Sequence, residues 1–330
     1  MNIYDVAKRA GVSTATVSRV LNSSGRVSPK TYEKVKKVLE EMNFTPNQLA
    51  ISLATNVTKT VGVLLPDVRD TFHSAVSYLL EKELLANGYN CILCNTTADP
   101  AQKAQYLHTL SGKNVDGIIM VGSVYNDEEM VNAYKRLPRR IPAVLINSIG
   151  ATGTCSILSD EKYGINRALE HLKSRGCKRP IFFSDQMDCT MSVTMKQTSY
   201  INGLKRVYGP DVEPLIYSES CTPASLHAFL QHLLRNYSDT DAVICANDLC
   251  AAALLKAVQK EGISCPDQIA MVCFNNSYLT DLTTPSITAL DQKIDQCCNL
   301  AVQHLLCILS GEKPPNITYV KPELICKESS

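Results

Sequence analysis

Runs of consecutive apolar residues that alternate with helix-length segments constrain this chain most tightly. They fall at 60–65, 89–94, 117–121 and 143–146, and again at 181–183, 242–245 and 270–274. A strand facing water on one side alternates apolar and polar residues. Strands apolar throughout must be covered on both faces, which is the pattern of a parallel sheet with helices on either side. The spacing predicts a helix from about His73 to Asn87 after the first strand, closed by Gly88, and the second set repeats the arrangement. The expected body is therefore an α/β core of two doubly wound lobes, and 330 residues leave room for a smaller domain beside it.

In open parallel sheets, ligands bind beyond the carboxyl ends of the strands, and two lobes bring two sets of such ends to one cleft. The polar or aromatic residues there are Asp67, Thr71, Phe72, His73, Ser123, Asn147, Asp185, Asn247, Asp248, Asn275 and Asn276. Taken singly, each is as readily a turn residue or helix cap. Their convergence is what marks the cleft as the candidate binding site.

The first 60 residues differ in composition, with nine Lys and Arg against four Asp and Glu, whereas the remainder is slightly acidic. Ile3, Val6, Ala7 and Ala10 form one helical stripe, and Gly11 supplies the left-handed residue that ends a helix. A second short helix follows within 12–22. Val17, Val20 and Leu21 pack inward, leaving Thr14, Ala15, Ser18 and Arg19 outward. Small outward residues allow close approach to base edges in a major groove, and unpaired amides at the helix start attract phosphate. A third helix begins with Ser28 as N-cap and Pro29 at its first position and runs to about Asn43, burying Val35, Val38, Leu39 and Met42. Arg26, in the polar loop before it, is within reach of a phosphate backbone. Helix, glycine turn and helix in a basic segment is the pattern of an α helix-turn-helix headpiece for double-stranded DNA, a pattern that many helical hairpins share and a charge balance that solvated surfaces also show.

No run of about 18 apolar residues occurs, and Met1 leads directly into the polar first helix, so neither a membrane partner nor a signal peptide is expected and a cytoplasmic location is. The 14 cysteines are scattered through apolar segments, as buried thiols of a reducing compartment would be. Cys91 and Cys94 have Cys-x-x-Cys spacing, but no second pair or His cluster stands at zinc spacing, so they read as strand residues, as do the adjacent Cys297 and Cys298 as core residues. No metal or cofactor is expected. The chain contains no Trp, so a sugar pocket would lack an indole platform.

Tyr4-Asp5-Val6-Ala7, Ala10-Gly11-Val12-Ser13 and Thr16-Val17-Ser18-Arg19-Val20-Leu21-Asn22 closely resemble the headpiece of the lactose-repressor (LacI/GalR) family of bacterial transcription regulators. The resemblance continues through Val61-Gly62-Val63, Pro66-Asp67, Val115-Asp116-Gly117-Ile118-Ile119, Ile141-Pro142-Ala143-Val144, Ala246-Asn247-Asp248 and Pro285-Ser286-Ile287-Thr288. It implies a headpiece over 1–45, a hinge helix and linker over 46–59, and a periplasmic-binding-protein-like core over 60–330. Chain crossovers are expected near Leu158, between Thr284 and Leu290, and between Pro315 and Thr318. These divide the core into an N-lobe (about 60–158 and 288–316) and a C-lobe (about 159–287 and 317–330).

The resemblance also assigns roles. Ser13, Thr16, Ser18, Asn22 and Arg26 are expected on phosphates, and Thr14, Ala15 and Arg19 on bases. In the hinge, Asn47 and Ala50 accompany Leu53, which stands where family members wedge a leucine into the minor groove. The usual arginine after that alanine is Ile51 here. In the core, Asp248 matches an effector-binding aspartate and Phe72 an aromatic pocket position, with His73, Asn147 and Asn275 beside them. Tyr200 stands where many members carry a ligand-gripping arginine, and Cys273-Phe274-Asn275-Asn276 replaces a motif ending in two aspartates.

The expected function is a homodimeric repressor that binds an inverted-repeat operator and is gated by a small-molecule effector, a sugar or derivative, in the cleft. The alternative keeps the DNA binding but places the core under a protein partner, which the altered pocket positions favour. An enzyme is not expected: nothing places a nucleophile beside His73 and Asp248, and no phosphate-cradling glycine loop appears.

Overall fold

Asp70, Asp99, Asp127, Asp160 and Asn247 each stand directly before a helix, and each side chain accepts a backbone N–H from two or three residues further on. These caps satisfy amides that a helix start leaves without partners and fix where the strand-to-helix turns end. The computed structural model describes residues 2–21, 25, 27–42, 55–151, 153–186 and 190–330. The chain divides into two compact units, Met1–Lys59 and Thr60–Ser330.

The first unit holds α1 (Ile3–Ala10), α2 (Thr14–Leu21) and α3 (Pro29–Glu41). Asn2 and Asp5 cap the start of α1 reciprocally, each side chain accepting from the other's backbone N–H. At its end Gly11 sits at φ 63°, with Gly11 N donating to Lys8 O and Val12 N to Ala7 O. This Schellman turn requires a residue indifferent to positive φ, and it swings the chain directly into α2. Val6, Ala10, Val17, Val20, Val35 and Val38 form the core.

The second unit contains two six-stranded sheets. The first is built from β1 (Thr60–Leu65), β2 (Asn90–Asn95), β3 (Gly117–Val121), β4 (Ala143–Ile146), β5 (Cys155–Ser159) and β11 (Ile317–Val320), in the order β11-β5-β4-β3-β1-β2. All its pairings are parallel. The helices α4 (Thr71–Ala86) and α12 (Ile294–Leu309) cover one face, and α5 (Pro100–Gly112) and α6 (Glu128–Lys135) the other. The second sheet is built from β6 (Pro180–Asp185), β7 (Ile216–Glu219), β8 (Ala242–Cys245), β9 (Ala270–Phe274), β10 (Thr288–Asp291) and β12 (Glu323–Ile325), in the order β12-β10-β9-β8-β6-β7. Only the β12 edge strand runs antiparallel. Its faces are covered by α9 (Pro223–Asn236) with α10 (Asp248–Lys260), and by α7 (Glu161–Ser174) with α8 (Met191–Tyr208); a single turn, α11 (Leu279–Leu282), follows β9.

These are the two doubly wound lobes expected, with corrected boundaries. Thr288–Asp291 pairs with β9 and belongs to the C-lobe, so the second crossover lies after Asp291. Ile317–Val320 pairs with β5 in the N-lobe, so the third follows Val320. Both segments are β-formers, and long-range pairing, which local sequence does not encode, decides their lobe.

The central strands of both sheets are dry on both faces. Val61, Val63 and Leu65 join the cluster with α4 and α12, while Leu64 joins the opposite one. Gly62 has no room for more: a Cβ there would stand 2.4 Å from Leu110 Cδ1. Cys91 and Cys94 lie in β2 against opposite faces of the sheet, and burial pushes each thiol up to about 11. Among the described residues no helix is long and apolar enough to cross a membrane.

Candidate functional site

Helix α2 carries the candidate DNA-reading face. Val17 and Val20 are buried, whereas Ala15 and Arg19 are exposed and Thr14, Thr16 and Ser18 half-exposed. The Ser13 hydroxyl caps the helix, accepting Thr16 N–H at 3.2 Å and pairing with the Thr16 hydroxyl at 2.9 Å. Arg19 runs past Gly25, where a Cβ would stand 3.5 Å from its Cδ; φ at Gly25 is +78°, so glycine suits the turn conformationally. Asn22, Arg26, Asn47, Ala50 and Leu53 lie outside the described residues.

In the core, a small cavity of about 120 Å³ lies between the lobes at the strand ends. Phe72, His73 and Asn147 reach it from the N-lobe, Asn247 and Asn275 from the C-lobe, and Gln292 from the second crossover. The backbone is bent to place two of these: Asn147 at φ 58° and Asn275 at φ 67°, conformations that Asn tolerates better than most residues. The Asn147 amide is fully engaged, donating to Gln292 Oε1 at 3.0 Å while its oxygen accepts Ser159 N–H at 3.0 Å. Gln292 in turn donates to Asn275 Oδ1. One hydrogen-bonded chain thus links the end of β5, the end of β4, the second crossover and the end of β9. A larger cleft of about 600 Å³ adjoins the cavity, sharing Phe72, Asn275 and Gln292, with Tyr78 and Tyr278 among the residues lining it.

Of the strand-end candidates, Asp67, Thr71, Asp185 and Asn276 do not line the cavity, Thr71 and Asn276 lining the adjoining cleft, and neither do Tyr200 and Asp248, to which the resemblance assigned effector roles. Tyr200 is fully buried in the C-lobe, its hydroxyl donating to Pro180 O at 2.8 Å, with burial raising its pKa. It is a core residue and not a ligand-gripping group in this lobe arrangement. Asp248 is 2% exposed and closes the lobes on each other instead: its Oδ2 accepts the Thr71 hydroxyl at 3.3 Å and its Oδ1 the Leu249 N–H at 2.9 Å. Burial raises its pKa, with the Asp70 carboxylate adding to the effect.

Sequence reasoning missed Lys196, one helical turn before Tyr200 on α8, which does line the cavity. Its ammonium lies 3.0 Å from Ser192 Oγ, 3.5 Å from Glu161 Oε1 and 4.5 Å from the centre of the Phe274 ring. Ser192 also donates to Glu161. The cation is therefore supplied from position 196 and is already balanced by a buried carboxylate. Gln292 was missed because 288–291 was not read as a strand; as a strand, its end would have named the residue.

Residues 2–47 match the family described as bacterial regulatory proteins of the lacI family, and residues 169–330 match the periplasmic binding protein-like domain. The chain is 33% identical to an HTH-type transcriptional regulator of Lachnoclostridium phytofermentans, an alignment covering 100% of this chain and 99% of the relative. It is 30% identical to the ribose operon repressor of Halalkalibacterium halodurans, over 99% of this chain and 96% of that one. Its fold matches the lac repressor dimer bound to operator and the anti-inducer ONPF with a TM-score of 0.87 at 21% identity, covering 100% of this chain and 98% of that chain. The geometry of headpiece and core and these likenesses agree: the chain belongs to the lacI family of bacterial regulatory proteins and is a DNA-binding transcriptional regulator.

Proposed function

We propose that this regulator is a homodimeric repressor that binds an inverted-repeat operator and is released or recruited by a sugar-like effector in the inter-lobe cavity. The observation that carries the gating is that polar bonds run between the lobes: Asn147 through Gln292 to Asn275 in the cavity lining, and Thr71 to Asp248 next in sequence to the lining residues Phe72 and Asn247. The cavity adjoins the larger cleft of about 600 Å³, which shares Phe72, Asn275 and Gln292 with it. A sugar that replaces these inter-lobe bonds binds one lobe arrangement better than the other, which is the condition for a ligand to shift an equilibrium.

The chemistry of the lining favours a neutral polyol. Asn147, Asn247, Asn275 and Gln292 carry amides whose present bonds a ligand's hydroxyls would replace, Phe72 offers an apolar face, and the Lys196 charge is balanced by Glu161. The ribose operon repressor of Halalkalibacterium halodurans and the neighbouring structure described as a CelR–cellobiose complex point to the same ligand class. A lining whose amides are committed to hinge bonds and whose one ammonium is ion-paired suits binding rather than catalysis.

The dimer is supported by apolar side chains left in water: Tyr78 and Leu85, one heptad apart on α4, Leu93 on edge strand β2, and Leu249, Tyr278 and Leu282 on the C-lobe. A second copy of the chain is the partner we assign to part of this exposed surface, in line with the lac repressor dimer among the neighbouring structures. On the DNA side, Ser13, Thr16 and Ser18 take phosphates, and Thr14, Ala15 and Arg19 take bases.

A thermal-shift screen of the full chain against neutral sugars, sugar phosphates, nucleobases and amino acids tests the effector. A ligand at about 100 times its Kd adds about 2.7 kcal/mol. The expected hit is a neutral sugar whose effect is saturable, is lost in Asn275→Ala, and alters operator binding. A hit confined to nucleobases, or one that leaves operator affinity unchanged, would refute the sugar-gated reading.

A further inference from the structure

The sulfur atoms of Cys221 and Cys250 lie 3.5 Å apart, both as free thiols. Cys221 is half-buried in the loop between β7 and α9; Cys250 is 2% exposed in the first turn of α10. Cys221 also lines a groove of about 460 Å³ on the C-lobe between α9 and α10, away from the inter-lobe cavity. Lys256 and Lys260, one turn apart on α10, edge the groove and make no ion pair among the described residues. Its carboxylate, Glu261, is already held by His227 at 2.6 Å and Gln231 at 2.9 Å. The groove is thus a cationic approach to a thiol that has a second thiol behind it.

We propose that Cys221 and Cys250 form a dithiol site oxidised to an intramolecular disulfide by small anionic disulfides docking in this groove. In the first step the Cys221 thiolate, its proton lost to water, attacks one sulfur of R–S–S–R. The S–S bond breaks and RS⁻ leaves, taking up a proton as RSH. In the second, the Cys250 thiolate attacks Cys221 Sγ in the mixed disulfide and expels a second RSH. The two cysteines give up two electrons and two protons, and the reagent disulfide takes both. Bond formation needs the sulfurs to close by about 1.5 Å, a shift within reach of a loop residue. It acts on the first turn of α10, two residues after Asp248, which clasps the lobes through Thr71. The hydrogen bond to Cys250, burial and the Asp185 carboxylate all hold the Cys221 thiol well above its ordinary range, so exchange is slow and the pair answers sustained oxidation.

The test is to incubate the full-length protein with oxidised glutathione, alkylate remaining thiols, and map every cysteine by mass spectrometry. The expected product is a Cys221–Cys250 cross-linked peptide that dithiothreitol reverses. In Cys250→Ser the reaction should stop at a glutathione adduct on Cys221. The exposed double variant Lys256→Glu with Lys260→Glu should slow wild-type cross-linking by about tenfold with oxidised glutathione and not with uncharged hydroxyethyl disulfide. Cys221 and Cys250 remaining fully alkylated while the exposed Cys326 is modified would overturn the dithiol site. Equal slowing with both reagents would overturn the groove as the docking site.

Discussion

Asn147 Nδ2 donates to Gln292 Oε1 at 3.0 Å, and the same side chain accepts the Ser159 N–H at 3.0 Å. One amide therefore ties together two of the three places where the chain passes between lobes. Gln292 is 5% exposed, so the partners it would leave behind are dry.

Asn147→Ala removes both bonds and forces alanine into φ 58°. The stranded polar groups should cost about 1–3 kcal/mol and the left-handed backbone about 1–2 kcal/mol more. Asn147→Gly removes the bonds without the backbone strain. Urea unfolding of both variants separates the terms: the alanine variant should be the less stable by that second amount. Equal stabilities would show that the backbone carries none of the cost.

Lys196 and Glu161, with side chains 6% and 5% exposed, form a buried pair at 3.5 Å. Lys196→Met should cost about 3–5 kcal/mol, because it strands a carboxylate in a dry site. Adding Glu161→Gln should recover most of that stability and still leave the effector response impaired, since the cation lines the cavity. Unfolding midpoints and ligand titrations on the single and double variants check this. A double variant as unstable as Lys196→Met alone would mean that packing, and not charge, is what the lysine supplies.

The headpiece was legible because its signals are local. Gly11 must take positive φ, Ser13 and Ser28 cap the helices after them, and the valine stripes meet in one core. The strands of the two lobes were legible from their unbroken apolar runs. What local signals do not encode is pairing partner and helix phase. Thr288–Asp291 and Ile317–Val320 are both plausible strands for either lobe, and only their neighbours assign them. Position 200 stands where the resemblance implied a ligand site, yet in this chain its tyrosine hydroxyl finds Pro180 O inside the core, and Lys196, one turn earlier, meets the cavity.

Asp248 gives a pH dependence with a definite sign. Burial and Asp70 raise its folded-state pKa, against opposing hydrogen bonds from Ser277 and the Leu249 N–H. The folded protein therefore holds this proton more tightly than the unfolded chain does. The contribution is most favourable below the ordinary aspartate value of 3.8 and is lost as pH rises through the folded pKa. Asp248→Asn cannot ionise, so its stability relative to wild type should increase with pH above 3.8 and then level off. Paired urea titrations between pH 4 and about 7 measure that difference. A constant difference across the range would mean that Asp248 is not perturbed by folding.

Arg19 is the one long donor among the outward residues of α2, its stem lying along Gly25. If it reads a base, Arg19→Ala should flatten discrimination at one operator position in each half-site by about 1–3 kcal/mol, while affinity for random DNA falls much less. A residue that only holds phosphate would weaken all sequences alike and lower the salt dependence of binding. Competition binding of wild type and variant against a panel of single-base operator changes, repeated at two salt concentrations, separates these behaviours. Uniform weakening across the panel with a shallower salt slope would move Arg19 from base reading to the phosphate backbone and leave Thr14 and Ala15 to read sequence through thymine methyl contacts.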